Sequence, residues 1–316
     1  MRLACYDALF RKPAAPNLPP AIPPQAPGIA VRPCDPAAED PSSADSPTSA
    51  LWELRCDQKR GTFLVKTYLP NFVLPVHLTS GIHRSPSSPT QGTATTRPNM
   101  RRLEAKLQIS LRSKIAEGLV LPDGDLWFAY TQRSMWQVWD PQDSRPFRST
   151  DYQPEAIYVL RTPAALRNLP DGWHWRMLQL GIAHQSNGQS DPLSRSWNRV
   201  YAGVVFERGD VGLQVRAMHR IGKGHDDNNP DVTRYIGGAE ILATWFPGVA
   251  TAALTWRTGS SFDRGHVQID WTFPVRRAQP LGLRWYAQLF SGYGETMLDY
   301  NYRQSSFGFG LTLFQL

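Results

Sequence analysis

Apolar and polar residues alternate one by one in Leu103-Glu104-Ala105-Lys106-Leu107-Gln108-Ile109-Ser110-Leu111-Arg112. Successive side chains of a β-strand point to opposite faces, so this stretch predicts a strand with one wholly apolar face. The other face carries full charges, among them Glu104, Lys106 and Arg112. Such a strand needs an apolar environment on one side and a polar environment on the other.

The same alternation recurs along the chain, for example where Val267, Ile269 and Trp271 alternate with Gln268 and Asp270. It predicts twelve strands, near residues 62–77, 103–113, 125–139, 155–161, 173–187, 197–208, 211–221, 234–246, 250–258, 264–274, 282–293 and 304–316. Alternating runs of about ten residues are typical of transmembrane β-barrels. We therefore predict an all-β fold over residues 56–316, an antiparallel transmembrane barrel of twelve strands, whose closure leaves no sheet edge unpaired in lipid.

Composition agrees with a barrel and excludes other classes. The mean hydropathy is −0.40 and no run of about 18 apolar residues occurs, which excludes a transmembrane helix. The 11 Trp and 11 Tyr fit aromatic belts at two membrane interfaces. A soluble, lipid-binding β-sandwich is the alternative, but charges opposite so many apolar rows favour a polar lumen. The net charge of +7 comes without basic runs, helix-turn-helix or zinc-finger spacing, so no nucleic-acid partner is expected.

The N-terminal part of the chain has a different composition. Its first 50 residues contain 11 prolines, which predicts a disordered extension over residues 1–55. Cys5, Cys34 and Cys56 lack metal-ligand spacing and are expected to be free thiols or to form one disulfide. The start, Met-Arg-Leu-Ala-Cys-Tyr-Asp, has no long apolar stretch, so no signal peptide is expected in the chain as given.

Three residues that could form a hydrolytic site fall on the apolar rows of two neighbouring predicted strands. His184 and Ser186 share parity with Leu180 and Ile182, and Asn198 shares parity with the apolar residues that follow it. His184 and Ser186 have Cα atoms roughly 6.6 Å apart in a strand, within reach of a base and a nucleophile. Asn198 could orient the imidazole, as the third member of a triad does. A catalytic set on an apolar exterior predicts a lipid substrate.

The loop between these strands is rich in oxygen-bearing side chains, including Ser190, Asp191 and Ser194. Such a loop could bind a hard cation such as Ca²⁺, or it could be an ordinary polar turn. The chain contains no G-x-S-x-G elbow and no H-E-x-x-H zinc motif, which argues against an α/β-hydrolase and a zinc hydrolase.

The segment His184-Gln185-Ser186-Asn187-Gly188, followed by Ser190-Asp191-Pro192 and Ser194-Arg195-Ser196-Trp197-Asn198-Arg199, resembles the active-site motif of the outer-membrane phospholipase A family. Further blocks are similar to that family: Tyr130–Ser134, Pro146–Arg148, Asn229–Tyr235 and Ser291–Asn301. The similarity covers about residues 103–316, with residues 61–80 as a weaker first strand.

The resemblance implies a calcium-dependent phospholipase of the bacterial outer membrane that hydrolyses sn-1 and sn-2 acyl esters of phospholipids and lysophospholipids. It implies Ser186 as nucleophile, His184 as base, Asn198 as orienting residue and the Gly188 N–H as part of the oxyanion hole. The Ca²⁺ ligands would be the Gln189 carbonyl, the Ser194 hydroxyl and Ser144 of a partner subunit. The barrel would be inserted by the outer-membrane assembly machinery and be active as a homodimer.

Gln132 is the predicted dimer contact. It shares parity with Leu126, Phe128 and Tyr130, so its amide lies on the row that faces lipid, where a twin across a two-fold axis could pair with it. Snorkelling towards headgroups is the alternative for this side chain. The alternative for the whole protein is a passive, porin-like barrel without hydrolase activity, whose functional residues would lie in the lumen.

Overall fold

The computed structural model describes residues 43–95, 100–142, 147–222 and 227–313. The strands are β1 (Val65–Thr67), β2 (Phe72–Thr79), β3 (Ser87–Ser88), β4 (Gly92–Thr93), β5 (Leu103–Ala116), β6 (Gly124–Trp136), β7 (Phe147–Arg161), β8 (His174–Ser186), β9 (Ser196–Arg208), β10 (Val211–Ile221), β11 (Ala239–Trp245), β12 (Thr251–Thr258), β13 (Gly265–Pro274), β14 (Leu283–Gly292) and β15 (Gln304–Leu313). Short helices are α1 (Pro47–Trp52), α2 (Ala164–Arg167) and α3 (Thr233–Ile236), with 3-10 turns at Cys56–Gln58 and Pro170–Gly172. Among these described helices, none has the length and apolar content that crossing a membrane requires.

The main sheet closes on itself. From β5 to β15 each strand pairs with the next in antiparallel register, and β15 pairs with β2. Strands β1 and β2 both pair with β5 and together form one strand of the barrel, while β3 and β4 form a separate hairpin. The predicted twelve-stranded antiparallel barrel is confirmed.

The barrel exposes apolar side chains on its outer face and buries polar ones in its lumen, the reverse of a soluble protein. Leu180 and Ile182 on the outer face of β8 are 46% and 49% exposed, whereas Gln179 and Ala183 on its inner face are 0% and 1% exposed. Large exposed side chains on the outer wall are apolar, and the lumen holds buried charges such as Arg199 and Glu207 around a cavity of about 370 Å³. An apolar wall around a polar lumen is the arrangement of a membrane-spanning barrel.

The two ends of the barrel differ in their connections. One end has short turns such as 209–210 and 246–250, and the other has long loops such as 80–102 and 222–238. Outer-membrane barrels have short periplasmic turns and longer extracellular loops. The 187–195 loop, which joins β8 to β9, therefore lies at the extracellular end.

Residues 43–55 correct the prediction of a disordered extension; residues 1–42 lie outside the described residues. Helix α1 begins after Ser46, whose hydroxyl accepts from the Ser49 N–H at 3.0 Å, and has proline at its first position. It carries Trp52 into the short-turn end of the lumen, where that ring is 5% exposed and packs edge-on against Trp127 at 5.7 Å. Burial of this aromatic residue orders a segment that its proline content alone marks as unstructured. Cys56, just beyond, is disulfide-bonded.

Two strand boundaries also differ from the prediction. Strand β7 begins at Phe147, whereas the sequence predicts a start near residue 155 because Pro154 lacks an N–H and interrupts the alternation. In the structure, Pro154 nevertheless pairs with Tyr130 within the sheet. Strand β11 begins at Ala239 and not near residue 234. The residues before it form α3, which buries Ile236 in an apolar cluster beneath the extracellular loops.

Candidate active site

His184 and Asn198 are direct cross-strand partners on β8 and β9. Both side chains are exposed on the outer wall, and His184 Nδ1 lies 2.7 Å from Asn198 Oδ1. An amide oxygen can only accept, so Nδ1 carries the proton in this contact and Nε2 keeps its lone pair. The geometry thus fixes both the tautomer and the direction of the imidazole.

Ser186 follows His184 by two residues, at the end of β8 and on the same outer face. Its cross-strand neighbours are Ser196 on β9 and Tyr152 on β7. Ser186 and His184 therefore share the outer face of β8, and Ser186 lies at the rim between the apolar wall and the loops. This is where an ester bond of a membrane lipid lies.

Gly188 has a φ of +61°, the left-handed region that favours glycine. A Cβ atom at this position would lie 2.9 Å from the Tyr152 ring, so a side chain would also clash. Glycine here lets the backbone turn sharply just after the serine.

Asn187 and Arg195 hold the two ends of this loop together. Their backbones bond at 3.0 Å, and Asn187 Oδ1 accepts from the Arg195 N–H at 2.9 Å. Asn187 Nδ2 donates to the Leu193 carbonyl, and the buried Arg195 guanidinium donates to the carbonyls of Pro192 and Ser194. Sequence reasoning assigned no role to either residue, although both lie within the quoted motif.

The residues predicted to bind Ca²⁺ belong to the same loop. Gln189 is half-buried, and its Nε2 lies 3.5 Å from the Arg148 carbonyl at the start of β7. Ser194 Oγ accepts from Asn228 Nδ2 at 2.7 Å, which leaves a lone pair for a cation. Ser144 lies outside the described residues. In the described part of the chain no group of three His, Cys, Asp or Glu could hold a metal, but carbonyl and hydroxyl oxygens fit a hard cation such as Ca²⁺.

A second loop supports the first from the side of β10. Asn229 is fully buried, and its Oδ1 accepts from the Ser196 N–H at 3.0 Å, at the start of the strand that carries Asn198. Arg220 Nη1 donates to the carbonyls of Asn229 and Pro230 at 3.0 Å each. The Asn229–Tyr235 block thus fixes the position of β9, a function that its sequence did not reveal.

A buried charge cluster lies beneath these loops. Arg148 bonds Glu104 through two contacts of 3.0 Å and Asp299 at 2.6 Å. Glu295 Oε1 accepts from Lys106 at 2.8 Å and lies 2.9 Å from His77 Nε2. Every charge in this cluster has a partner of opposite sign, as burial in a protein interior requires.

Gln132 lies on the outer face of β6, directly opposite Ile109 and Tyr152. Its Oε1 accepts from the Tyr130 hydroxyl at 3.1 Å, and its Nε2 lies 3.5 Å from Ser134 Oγ. The amide is therefore partly satisfied within its own chain. This leaves one amide hydrogen for a partner molecule.

Comparisons with known proteins agree with this arrangement. The family model for phospholipase A1 matches residues 48–313. A putative phospholipase A1 of Neisseria meningitidis serogroup B is 37% identical over 289 residues, 88% of this chain and 72% of the relative. The phospholipase A1 of Escherichia coli K12 is 34% identical over 219 residues, 68% of this chain and 71% of that protein.

Solved structures give the same assignment. The outer membrane phospholipase of Salmonella typhi, a dimer with bound calcium, superposes with a TM-score of 0.71 at 31% identity and covers 81% of this chain and 94% of that one. Outer membrane phospholipase A from Escherichia coli superposes with a TM-score of 0.69 at 30% identity, covering 79% and 94% of the two chains. The closed barrel and these relatives identify a bacterial outer membrane protein, and the chain belongs to the phospholipase A1 family.

Proposed function

We propose that this chain is a calcium-dependent outer-membrane phospholipase that hydrolyses acyl esters at both the sn-1 and sn-2 positions of phospholipids and lysophospholipids. The observation that carries the proposal is the 2.7 Å contact between His184 and Asn198 on the outer wall, with Ser186 two residues along the same face. A hydrogen-bonded His–Asn pair beside a serine is the geometry of an activated nucleophile.

The proposed reaction proceeds by acyl transfer. Ser186 Oγ attacks the ester carbonyl while His184 Nε2 takes its proton, and Asn198 holds the imidazole and disperses part of the imidazolium charge. The Gly188 N–H donates to the oxygen that becomes negative. His184 then returns the proton to the glycerol oxygen as it leaves, and water releases the fatty acid from Ser186 by the same steps.

The position of the site favours this function over a passive barrel. A porin-like protein acts through its lumen, whereas His184, Ser186 and Asn198 all lie on the outer wall. Exposed polar side chains next to hydrocarbon are unfavourable unless something uses them. A lipid whose ester reaches the membrane surface meets all three residues without leaving the bilayer.

The oxygen donors at Gln189 and Ser194 are the proposed Ca²⁺ ligands, completed by Ser144 of a partner subunit. Bound Ca²⁺ would supply positive charge that stabilises the ester oxygen as it becomes negative. Asn228 donates a hydrogen bond to Ser194, and Asn187 and Arg195 hold the loop through hydrogen bonds of their own.

Calcium removal tests the function. We expect chelation to lower phospholipid turnover in detergent micelles by about 100-fold, the usual size of one lost oxyanion interaction, and added Ca²⁺ to restore it. Ser194→Ala should raise the Ca²⁺ concentration that half-maximal activity requires, whereas Ser190→Ala in the same loop should not. Turnover that is unaffected by chelator would rule out the calcium role, and absence of turnover with Ca²⁺ would rule out the enzyme.

Asn198→Ala should lower turnover less than loss of the nucleophile. It removes one hydrogen bond to an imidazole that becomes charged, worth about 1.5–3 kcal/mol, so we expect a loss of about 10- to 100-fold. Asn198→Asp keeps the accepting oxygen and should retain more activity than the alanine variant. Equal losses for both variants, measured as kcat/KM, would contradict an orienting role.

We also propose a homodimer whose membrane-embedded contact includes Gln132. Because Tyr130 and Ser134 already bond its amide, Gln132→Leu should weaken association by at most about 2 kcal/mol. Ile109, its exposed neighbour on β5, lies on the same surface. Ile109→Ala should weaken the dimer further, while Leu254→Ala on β12 serves as the matched control.

Sedimentation in detergent, with Ca²⁺ and a non-hydrolysable substrate analogue, measures this equilibrium. The proposal expects an active dimer and a larger dissociation constant for the Gln132 and Ile109 variants than for the Leu254 variant. An active monomer, or equal dissociation constants for all of them, would show that the contact lies elsewhere.

A further inference from the structure

A depression of about 600 Å³ lies on the outer wall of the barrel, over β13, β14, β15 and β2. In the closed sheet, three strands separate it from the catalytic pair β8 and β9 in either direction. It is thus on the opposite side of the barrel from the active site. We propose that this depression binds a phosphate-bearing membrane lipid, independently of the catalytic function.

Three serines on neighbouring strands form the upper part of the depression. Ser291 pairs with Ser305 across β14 and β15, and their hydroxyl oxygens lie 2.9 Å apart. Ser80 follows β2, and its hydroxyl accepts from the Ser305 N–H at 3.0 Å. The three side chains are exposed, and the Ser291–Ser305 contact uses only one of their three O–H groups. At least two hydroxyls can therefore donate to a ligand.

Large apolar side chains lie one step further into the membrane on the same strands. Leu78, Leu289 and Phe307 are 50%, 51% and 42% exposed, directly below Ser80, Ser291 and Ser305. The small serine side chains above them leave a step in the wall. An acyl chain can pack along the apolar residues while the polar end of the same molecule occupies the step.

The charge of the residues that line the depression indicates which polar group the ligand carries. Arg102 is the single charged residue in its lining, which includes no carboxylate. Arg102 is exposed and comes just before β5, where its carbonyl accepts from the Thr79 N–H at 3.0 Å. A guanidinium at the rim of the membrane, next to free hydroxyls, matches the phosphate of a lipid headgroup in charge and hydrogen bonding.

The exposed serines at this place would otherwise be unfavourable. Hydroxyls that face hydrocarbon without a partner lose hydration, and apolar residues could replace them on a wall that needs only to contact lipid tails. A bound phosphate would accept from both kinds of donor. An acyl chain alone, or a free phosphate alone, would use only half of the surface.

The test is lipid retention by the full-length protein in a nonionic detergent, measured by native mass spectrometry. The probe is an ether-linked phosphatidylglycerol, which a phospholipase cannot hydrolyse, and the matched probe is the corresponding dialkylglycerol without phosphate. We expect the wild type to retain the phosphate-bearing lipid and Arg102→Gln to weaken this retention about 10-fold. Ser305→Leu should fill the step and abolish retention of one lipid per chain.

Arg208→Gln, an exposed arginine at the opposite end of the barrel, should leave retention unchanged. Equal retention by the wild type, Arg102→Gln and Ser305→Leu would overturn the proposal. So would equal binding of the dialkylglycerol, or full displacement by inorganic phosphate. Hydrolysis of an ester lipid by the Arg102 variant should match the wild type, so failure of this site is distinguishable from failure of the proposed enzyme.

Discussion

Ser186→Ala is expected to lower phospholipid hydrolysis by a factor of at least about 10³ while the barrel still folds. In the proposed mechanism its hydroxyl oxygen forms the bond to the acyl group, so no neighbouring group can substitute for it. Ser186 is partly exposed on the outer face at the end of β8 and does not lie in the packed lumen, so its loss should not alter stability. Turnover of a phospholipid with Ca²⁺ measures the first effect, and resistance to urea in detergent measures the second.

The double variant makes this prediction sharper. His184→Ala should cost about as much as Ser186→Ala, and combining the two should cost little more, because nucleophile and base act as a unit. Ser261→Ala, in an exposed loop between β12 and β13, makes the same chemical change away from the site and should be fully active. Activity above one tenth of the wild type in Ser186→Ala, or multiplicative losses in the double variant, would contradict the assigned roles.

The barrel was predictable because its strands lie between two solvents of opposite polarity. On β8 the side chains alternate between lipid and lumen, so Leu180 and Gln179 report the two environments directly in the sequence. The same parity placed His184, Ser186 and Asn198 on one outer face. A soluble barrel of the same topology would have reversed this polarity, and its sequence would not have indicated the side from which a substrate arrives.

Helix α1 was not predictable because its order depends on distant residues. Trp52 is held by Arg112, whose guanidinium lies 4.1 Å from the ring centroid, and the Thr48 N–H donates to Glu207 at 2.7 Å. These partners are 60 residues or more along the chain, on β5 and β9. In the sequence, the nearby prolines make this segment look unstructured. In the structure, burial in the closed lumen outweighs the entropy cost of ordering it.

The residues that position the candidate site could not be predicted either, because their partners are also distant in sequence. Asn187 lies beside Ser186, the proposed nucleophile, and could have been suspected as a turn residue. Asn229 and Arg148 act through contacts with β9 and with the loop after β8, which only the closed sheet brings near them. Alternation assigns a residue to a face but gives no information on its partner across the lumen.

The charge cluster beneath the extracellular loops should be sensitive to acid. Burial alone raises the pKa of the Glu295 carboxyl, but Lys106 and His77 outweigh it and hold that pKa well below its usual 4.5. Burial likewise raises the pKa of the Asp299 carboxyl, but the nearby Arg148 guanidinium outweighs it and lowers that pKa from its usual 3.8. A carboxyl group whose pKa is lower in the folded protein than in the unfolded chain stabilises the fold. This stabilisation is fully present above the usual pKa of the carboxyl and is lost as the pH falls below that value. The free energy of unfolding should therefore decline as the pH falls below about 4.5.

Glu295→Ala is expected to have the largest effect on stability. It leaves Lys106 and His77 without their shared partner and removes acceptors for Gln304 and Ser306, all of them buried. Removing one member of a buried ion pair costs about 3–5 kcal/mol, because the remaining charge stays desolvated. Urea unfolding in detergent, followed by tryptophan fluorescence at neutral pH, should show a loss of this size.

The matched control is Asp263→Ala, which removes an exposed carboxylate that pairs with Arg264 at 3.7 Å and should cost far less than Glu295→Ala, because solvent screens an exposed ion pair. Glu295→Gln keeps the shape and loses the charge, so it should be destabilised at neutral pH and should also lose part of the decline below about pH 4.5. A Glu295→Gln variant as stable as the wild type at pH 7, with an unchanged acid profile, would show that the cluster is held by shape and not by charge. Because Arg148 in this cluster also contacts Gln189, the destabilised variants should need more Ca²⁺ for half-maximal turnover.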